Sequence, residues 1–541
     1  MTSDTVQQIK AGYTFDSPTL ELGVVLDSDT PVKDVPIGIP LSMLNRHGLI
    51  AGATGTGKTV TLQVLAEQLS RAGVPVFASD IKGDLSGVGA PGVASDKLNK
   101  RLEAAGQEWT ASANPTEFYT LGDSGLGTPL RATVTSFGPI LLSKVLELND
   151  TQESVLALVF HYADKAGLAL LDLSDLREVL NFLTSAEGKE DLAGIGGASK
   201  ASVGVILRKI SELSAQGGDI FFGEPEFDTA DLLRVDDAGA GIVSVLELQK
   251  LSQSPALFST FLMWLLADLF QDLPEVGDAD KPSLVFFFDE AHLLFADASK
   301  AFLQSVTQTV RLIRSKGVGV FFVTQTPGDV PDDVLAQLGS RIQHQLRAHT
   351  PNDAKALKAT VQTFPKSDFD LEELLTTLGI GEAVVTVMDP EGAPTPVAPT
   401  RMRAPESKIG PMGEDEVRAA VKTSAQFAKY GEAVDRESAR EILAARLEKG
   451  STTAEAEQPA EGAPGTTGGS STSGGSTDDG STRTSKVEFP EDSAPRSEPR
   501  GKKDEENIFS QVVKSSAFKQ FTRTAAREIA RGLFGTSRRR R

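Results

Sequence analysis

The sequence contains no cysteine, which excludes disulfide bonds and thiolate metal sites. Only five histidines are scattered along the 541 residues, so we do not expect a structural zinc site. The first residues lack the basic segment and apolar run of a secretory signal peptide. The densest apolar stretch, residues 261–270, is too short to span a bilayer and contains Asp268. These absences together predict a cytoplasmic protein.

Acidic residues dominate the chain, which has a formal net charge of −20. Basic residues are concentrated at the C-terminus, where residues 502–541 contain eleven Lys and Arg against four Asp and Glu. The rest of the chain therefore carries a net charge of about −27 when this segment is treated as a separate block. An acidic body disfavours non-specific nucleic-acid binding, which draws on positive surface charge.

Apolar, β-branched segments alternate with helical patterns over residues 46–400, which predicts an α/β core with a mainly parallel sheet. Residues 1–45 are expected to form an N-terminal segment of one or two strands, and residues 401–450 a polar helical extension. The predicted core strands are Gly48–Ala51, 74–79, 241–246, Leu284–Phe288, Val318–Thr324, 341–346 and 383–388.

Residues 90–239 interrupt this alternation and are rich in helical patterns, which predicts a mostly helical insertion between strands of the sheet. One of its helices is expected to begin at Asp150. There Asp150 and Glu153 are predicted to form a capping pair in front of an apolar helical face.

Two further segments follow the core. Residues 451–505 consist mainly of Gly, Ser, Thr, Pro and acidic residues, which bury too little apolar surface to fold, and are predicted to be a disordered linker. Residues 506–541 have apolar and basic residues at helical spacing, which predicts a basic amphipathic helix. Three roles are open for this tail: docking on the acidic core or on a protein partner, binding nucleic acid, or lying on an anionic membrane surface.

The clearest motif is a phosphate-binding loop, GATGTGKT at residues 52–59, between an apolar strand and a helical pattern. Backbone N–H groups of such a loop surround the phosphates of a nucleotide. Lys58 is expected to reach the β- and γ-phosphates, and the hydroxyl of Thr59 to bind Mg²⁺. The motif predicts ATP and Mg²⁺ as ligands, with contacts from Gly52, Thr54, Gly55, Thr56, Gly57, Lys58 and Thr59.

A second motif, LVFFFDEAH at residues 284–292, is an apolar strand that ends in two carboxylates. We expect Asp289 to bind the nucleotide's Mg²⁺ through water, and Glu290 to act as the general base that activates the attacking water. Asp84, after the strand that follows the phosphate-loop helix, is an alternative base, or else caps the next turn. We expect His292 to have a structural role at the start of a helix.

Two more polar positions complete the predicted site. Gln325 follows the apolar strand Val318–Thr324, where its amide is suited to sense the γ-phosphate or the attacking water. Arg314 is a candidate arginine finger, which a neighbouring subunit would supply to stabilise charge in the transition state. Arg311, Arg341 and Arg347 are alternatives for this role, and a solvated basic helix face is the simpler explanation.

Taken in order, the segments GLIAGATGTGKTVTLQ, FASDIKGDLSG, FFFDEAHLLF and RLIRSKGVGVFFVTQTP resemble the HerA-like helicases of the HerA/FtsK superfamily, and in particular the YjgR-type bacterial ATPases. The resemblance implies a RecA-like core that assembles as a homo-oligomer, often a hexameric ring, and acts on DNA as a helicase or translocase. It also implies roles for Lys58 and Thr59 as Walker A residues, Asp289 and Glu290 as Walker B residues, Gln325 as sensor and Arg314 as the trans arginine.

The sequence is therefore compatible with two functions. The first is an oligomeric ATPase motor that acts on DNA. The second is a nucleotide-switched scaffold, or a membrane-associated assembly ATPase, that acts on a protein partner. The acidic body favours the second, whereas the family resemblance and Arg314 favour the first.

Overall fold

The computed structural model describes residues 3–122, 125–249, 255–277, 279–295 and 300–446. The predicted linker at 451–505 and the predicted basic tail at 506–541 lie outside the described residues. None of the helices in the described part of the chain is both long and apolar enough to cross a membrane.

Twelve strands of the described residues join in one mixed sheet. In chain order they are β1 Thr19–Asp27, β2 Thr30–Pro40, β3 Gly48–Ala51, β4 Val76–Asp80, β5 Thr116–Leu121, β6 Thr128–Leu130, β7 Val243–Glu247, β8 Leu284–Phe288, β9 Val318–Thr324, β10 Ser340–His344, β11 Glu382–Thr386 and β12 Ala398–Met402. Their order across the sheet is β2-β1-β12-β11-β10-β3-β9-β8-β4-β7-β5-β6.

The α-helices of the described residues pack around this sheet. They are α1 Ser3–Gly12, α2 Lys58–Arg71, α3 Asp96–Ala105, α4 Val134–Val145, α5 Asp150–Lys165, α6 Leu173–Thr184, α7 Lys189–Gly194, α8 Lys200–Ala215, α9 Pro255–Asp272, α10 His292–Phe295, α11 Lys300–Ile313, α12 Asp332–Leu335, α13 Pro351–Val361, α14 Leu371–Thr377, α15 Glu414–Thr423 and α16 Ala425–Tyr430.

The eight strands from β10 to β6 are all parallel, and their central members are buried on both faces. Every residue of β8 and of β9 is buried. In β8 the side chains of Phe286 and Phe288 join the core on one face of the sheet, and those of Val285 and Phe287 join the core on the other. A continuous apolar run forms a strand of this kind because helices cover both of its sides.

The order of the central strands defines the fold class. The phosphate-loop strand β3 and the strand β8, which ends before Asp289, do not touch, because β9 lies between them. On the other side of β8 lies β4, which follows the phosphate-loop helix α2. This is the arrangement of a RecA-like P-loop core, and the predicted fold class is confirmed.

All seven predicted core strands are present, with bounds that differ from the prediction by at most two residues. The N-terminal residues contribute β1 and β2, which form one edge of the same sheet. The region 90–239 contains helices α3 to α8, but it also contributes β5 and β6 at the opposite edge. The prediction missed both strands, of which β6 has only three residues, one of them a proline.

Helix α5 begins at Asp150, as predicted, but the predicted capping pair was wrong. The N-cap is Asn149, whose side chain accepts a hydrogen bond from the N–H of Gln152, and the side chain of Gln152 bonds back to Asn149. The N-cap residue lies outside the helix, so the capping box begins one residue before the position that the sequence analysis chose.

Residues 403–446 connect the phosphate-loop helix with the region 90–239. The carboxylate of Glu67, on α2, accepts hydrogen bonds from the N–H groups of Glu406 at 2.9 Å and Ser407 at 2.8 Å. Further along, the hydroxyl of Ser438 donates to Asp175 of α6 at 2.5 Å, and residues 439–446 are helical. The extension is thus part of the same compact unit as the core.

Candidate nucleotide site

The carboxyl ends of β3, β9, β8 and β4 meet at one edge of the sheet, where ligands bind in open α/β folds. The phosphate loop leaves β3 at this edge. The N–H of Gly52 lies between two carbonyl groups at the end of β9, at 3.2 Å from Thr324 O and 3.1 Å from Gln325 O. The start of the loop is therefore attached to the strand whose end was predicted to carry the sensor.

Glycine is required at two positions of this loop. Gly57 caps α2 with a φ of 116°, a conformation that residues with a side chain rarely adopt. Gly52 has a φ of 154°, and a Cβ atom at this residue would lie 2.5 Å from Cβ of His344. At Gly55 a Cβ atom would meet no other atom within 4 Å, so the middle of the loop faces open space. Thr54 is exposed at this point, as contact with a ligand requires.

Lys58 is buried, with 4% of its surface exposed. Its ammonium group donates to the loop's own carbonyl oxygens, at 2.7 Å to Gly52 O and 3.2 Å to Ala53 O. Burial, followed by the positive charge of Lys82, lowers the pKa of Lys58. A second cation therefore lies close to the lysine of the phosphate loop. Thr59, in the first turn of α2, is half-buried.

The other flank of the loop is attached to residues that the sequence analysis did not single out. The N–H of Gly381 donates to Thr56 O at 2.9 Å. Arg101, from α3, in turn donates to Gly381 O at 2.7 Å. Arg347 donates to Thr54 O at 3.3 Å, so this arginine lies at the phosphate loop of its own chain.

Asp289 directly follows β8 and is only 2% exposed. Burial raises its pKa to about 7, against the opposing charge of Lys82. Its Oδ1 atom is buried and has no hydrogen-bond partner among the described residues. A buried carboxylate oxygen without a partner is suited to a cation, and Mg²⁺ needs only one or two protein carboxylates besides phosphate and water ligands. Asp289 therefore fits a Mg²⁺ ligand, while the predicted contact of Thr59 with Mg²⁺ stays a prediction.

Glu290 is 7% exposed and has a φ of 48°. This left-handed conformation costs about 1–2 kcal/mol in a residue other than glycine. The Oε1 atom of Glu290 forms an ion pair with Nζ of Lys82. Its Oε2 atom lies 3.2 Å from Nδ1 of His292. His292 is thus adjacent to the predicted base as well as being the first residue of α10.

Gln325 is exposed at the end of β9. The turn after this strand is fixed by Asp329, which the sequence analysis did not single out. Asp329 accepts hydrogen bonds from the hydroxyl of Thr324 at 2.7 Å and from the N–H of Thr326 at 2.8 Å. The negative charges of Glu290, Asp289 and Asp329 all act on Lys58. Lys58 and the two carboxylates after β8 therefore lie within one charged cluster.

The turn after β4 is capped by Asp80 and not by Asp84. The carboxylate of Asp80 accepts the N–H of Gly83 at 2.6 Å and that of Leu85 at 2.8 Å. Asp84 is half-buried, and burial raises its pKa against the charge of Lys82. The predicted capping role of Asp84 was wrong, because Asp80, four residues earlier at the end of β4, already satisfies this turn.

The candidate arginines lie in different places. Arg314 begins the turn that precedes β9, so it lies at the end of this strand opposite to Gln325. Seven residues of parallel strand span about 20 Å, too far for Arg314 to reach its own phosphate loop. Arg311 is exposed in the last turn of α11. Arg341, at the start of β10, donates to Thr363 O at 2.9 Å.

The chain is similar to proteins of known function. The chain is 25% identical over 377 residues to the DNA double-strand break repair helicase HerA of Sulfurisphaera tokodaii, covering 69% of this chain and 67% of that protein. It is 22% identical over 386 residues to the helicase of the same name from Sulfolobus acidocaldarius, with the same coverage of both chains.

Among solved structures, the bacterial conjugative coupling protein TrwB in an unbound form matches with 16% identity and a TM-score of 0.49, over 75% of this chain and 95% of that chain. The plasmid coupling protein TrwB in complex with ADP and Mg²⁺ matches with 18% identity and a TM-score of 0.48, over 74% and 93%. A family model described as "Helicase HerA-like C-terminal" matches residues 26–541. The chain, with its phosphate loop and paired carboxylates at one edge of a RecA-like sheet, belongs to this HerA-like family.

Proposed function

We propose that this protein is an ATPase that hydrolyses ATP with Mg²⁺ and acts as an oligomeric motor on DNA. The observation that carries the ATPase proposal is the convergence of Lys58, Asp289 and Glu290 at the carboxyl edge of the sheet. The unpartnered, buried Oδ1 atom of Asp289 supports a cation at this position. Family membership supports the same chemistry.

In the proposed reaction, the N–H groups of the loop 52–59 and the ammonium of Lys58 bind the phosphates. Thr59 and Asp289 would hold Mg²⁺, which neutralises charge that develops on the phosphates. A water oxygen bonds to the γ-phosphorus while the bond from this phosphorus to the β–γ bridging oxygen breaks, and ADP leaves. Glu290 accepts the proton of the water, and the amide of Gln325 orients this water.

Ring assembly is proposed from the position of Arg314. Because this residue lies at the far end of β9 from its own site, it can contribute to hydrolysis only at the site of a neighbouring copy. A head-to-tail contact of this kind generates rings when the rotation closes. A hexamer is the state that the family resemblance implies.

Action on DNA is proposed from the two HerA relatives, whose names describe DNA double-strand break repair helicases. The test is the steady-state ATP turnover of the purified protein with and without double-stranded DNA. We expect turnover to rise at least ~3-fold with DNA, and the Glu290→Gln variant to lack activity under both conditions. Unchanged turnover on DNA of several lengths and end structures would favour the alternative, a nucleotide-switched scaffold for a protein or membrane partner.

The basic tail at residues 506–541 is proposed to dock on the acidic body or on a protein partner. The reason is charge: the tail is basic, whereas the rest of the chain is strongly acidic. Deletion of residues 502–541 tests this role. Docking predicts a change in oligomer size or stability, whereas a tether predicts the loss of salt-sensitive binding to DNA or to anionic vesicles.

A further inference from the structure

Lys82 occupies a position that the reaction described above does not use. Its ammonium forms an ion pair with Oε1 of Glu290, while the other carboxylate oxygen of Glu290 lies 3.2 Å from the ring of His292. The side chain of Glu290 is 9% exposed and that of Lys82 is 36% exposed. In this conformation one oxygen of the proposed general base is therefore paired with a cation, whereas its Oε2 atom is buried and has no hydrogen-bond partner among the described residues. If Lys82 moved away, both oxygens of Glu290 would be able to accept a proton from water.

The main chain at Lys82 is fixed, whereas its side chain can move. Its carbonyl oxygen accepts a hydrogen bond from Gln249 at 2.9 Å. The carboxylate of Asp80 binds the N–H groups of the next residues, Gly83 and Leu85. The ammonium is attached through a flexible four-carbon chain that is partly open to solvent. A change of rotamer can thus redirect the charge of Lys82 without any movement of the strand.

Lys82 also lies near the place where the γ-phosphate of ATP would bind. Lys82 follows β4, which pairs with β8 on the side opposite to β9. It therefore approaches Asp289 and Glu290, at the end of β8, from the side opposite to β9. The charge of Lys82 acts on Lys58, Asp84 and Asp289. A second cation strengthens the binding of a triphosphate, because hydrogen bonds from a charged donor to phosphate oxygens are among the strongest that proteins form.

We infer that Lys82 binds the γ-phosphate of ATP, and that this exchange of partners releases Glu290 to act on the attacking water. The inference rests on the proposed ATPase function and deepens it. Lys58 holds the phosphates from the loop, and Lys82 contacts only the terminal phosphate, from the opposite wall of the site. ADP lacks this phosphate, so with ADP bound Lys82 remains paired with Glu290.

The test compares Lys82→Met, which keeps the length of the side chain and removes its charge, with Lys82→Arg. Affinities for ATP and ADP are measured by calorimetry with Mg²⁺ in the Glu290→Gln background, where hydrolysis is slow and Lys82→Met does not leave the carboxylate of Glu290 without its cation. We expect Lys82→Met to weaken ATP binding roughly 10-fold or more and to change ADP binding less than about 2-fold. Lys82→Arg should retain most of the preference for ATP.

Two controls separate this effect from others. Lys58→Ala should weaken the binding of both nucleotides, because Lys58 contacts the phosphate loop itself. Lys422→Ala, at an exposed position of α15, should change neither affinity. In the background with Glu290 intact, Lys82→Met should lower turnover at least ~10-fold, since one phosphate contact is lost.

The outcomes distinguish the inference from the function on which it rests. If the otherwise unaltered protein binds and hydrolyses ATP but Lys82→Met keeps the ratio of ATP to ADP affinity, Lys82 is not a phosphate ligand and only this inference is overturned. A rise in turnover for Lys82→Met would also overturn it, because Lys82 would then only inhibit Glu290. If the unaltered protein binds no ATP, the proposed function and the inference both fail.

Discussion

Asp80 and Glu247 lie side by side at the carboxyl ends of two neighbouring parallel strands, β4 and β7. Burial, followed by the charges of Asp80 and Asp84, raises the pKa of Glu247 to about 8. Burial also raises the pKa of Asp80 to about 6. Near neutral pH, Glu247 is therefore mainly protonated in the folded protein, next to the turn that carries Lys82.

The first prediction concerns the pH dependence of stability. The pKa of Glu247 is raised from 4.5 to about 8, so between these values the folded chain keeps a proton that the unfolded chain releases. The free energy of unfolding should therefore fall as pH rises through this window. Glu247→Gln has no such proton. Between pH 5 and pH 8 its free energy of unfolding should fall by at least about 1 kcal/mol less than that of the unaltered protein.

Urea denaturation at pH 5, 6.5 and 8 measures this difference. Glu372→Gln, which changes an exposed glutamate of α14 in the same way, is the matched control and should follow the unaltered protein. Identical pH profiles for Glu247→Gln and for the unaltered protein would contradict the assigned shift in the pKa of Glu247.

The second prediction concerns the general base. Glu290→Gln should bind ATP and Mg²⁺ but turn over at least ~100-fold more slowly, because the amide cannot accept the proton of the attacking water. Asp84→Asn should reduce turnover much less, since Asp84 is not paired with the groups at the end of β8. Steady-state phosphate release from both variants decides between them. The reverse order of the two effects would make Asp84 the base.

The third prediction concerns the phosphate loop. Lys58→Ala removes the buried ammonium that lies on the carbonyl oxygens of Gly52 and Ala53. Hydrolysis should be abolished and ATP binding weakened, because no other side-chain cation lies within the loop itself. Nucleotide binding and turnover are measured together, with Lys422→Ala as the control. Undiminished turnover in Lys58→Ala would remove the basis for the site.

The phosphate loop and the strand before Asp289 could be predicted from the sequence because each is a local pattern. In both, a continuous apolar run precedes polar residues at fixed spacing, and the chemistry lies within a few residues. The contact between Lys82 and Glu290 could not be predicted in this way. This contact depends on the pairing of β4 with β8. The hydrophobic periodicity of a sequence predicts where strands are, but it does not predict the order of parallel strands in a sheet.

Strand order also explains why the turn at Gly381 could not be predicted, but it does not explain why Asp329 was missed. Gly381 reaches Thr56 only because β10 and β11 form an antiparallel pair beside the phosphate-loop strand. Asp329 lies only five residues after Thr324 and at capping-box spacing from Thr326, so this turn did carry a local signal that could have been read from the sequence. For the contact of Gly381 with Thr56, a sequence signal would have to come from paired positions far apart in the chain.

The last prediction concerns Arg314. If this arginine acts at the site of a neighbouring copy, Arg314→Ala and Glu290→Gln should each be inactive alone and partly active when mixed. Some interfaces of a mixed ring then combine an intact Glu290 with an intact Arg314. With random exchange at equal amounts, roughly a quarter of the sites are complete, and turnover should recover to about that fraction.

A mixture of Lys58→Ala with Glu290→Gln is the matched control. Both residues belong to the same subunit's site, so no interface of such a ring is complete and turnover should not recover. Exchange of subunits is established by energy transfer between labelled copies before the assay. With exchange demonstrated, the absence of recovery for the Arg314 mixture would contradict the trans role, and so would full hydrolysis by a monomer. Recovery in the mixture of Arg314→Ala with Glu290→Gln, and not in the control mixture, would mean that the two ends of β9 contribute to two different sites of one ring.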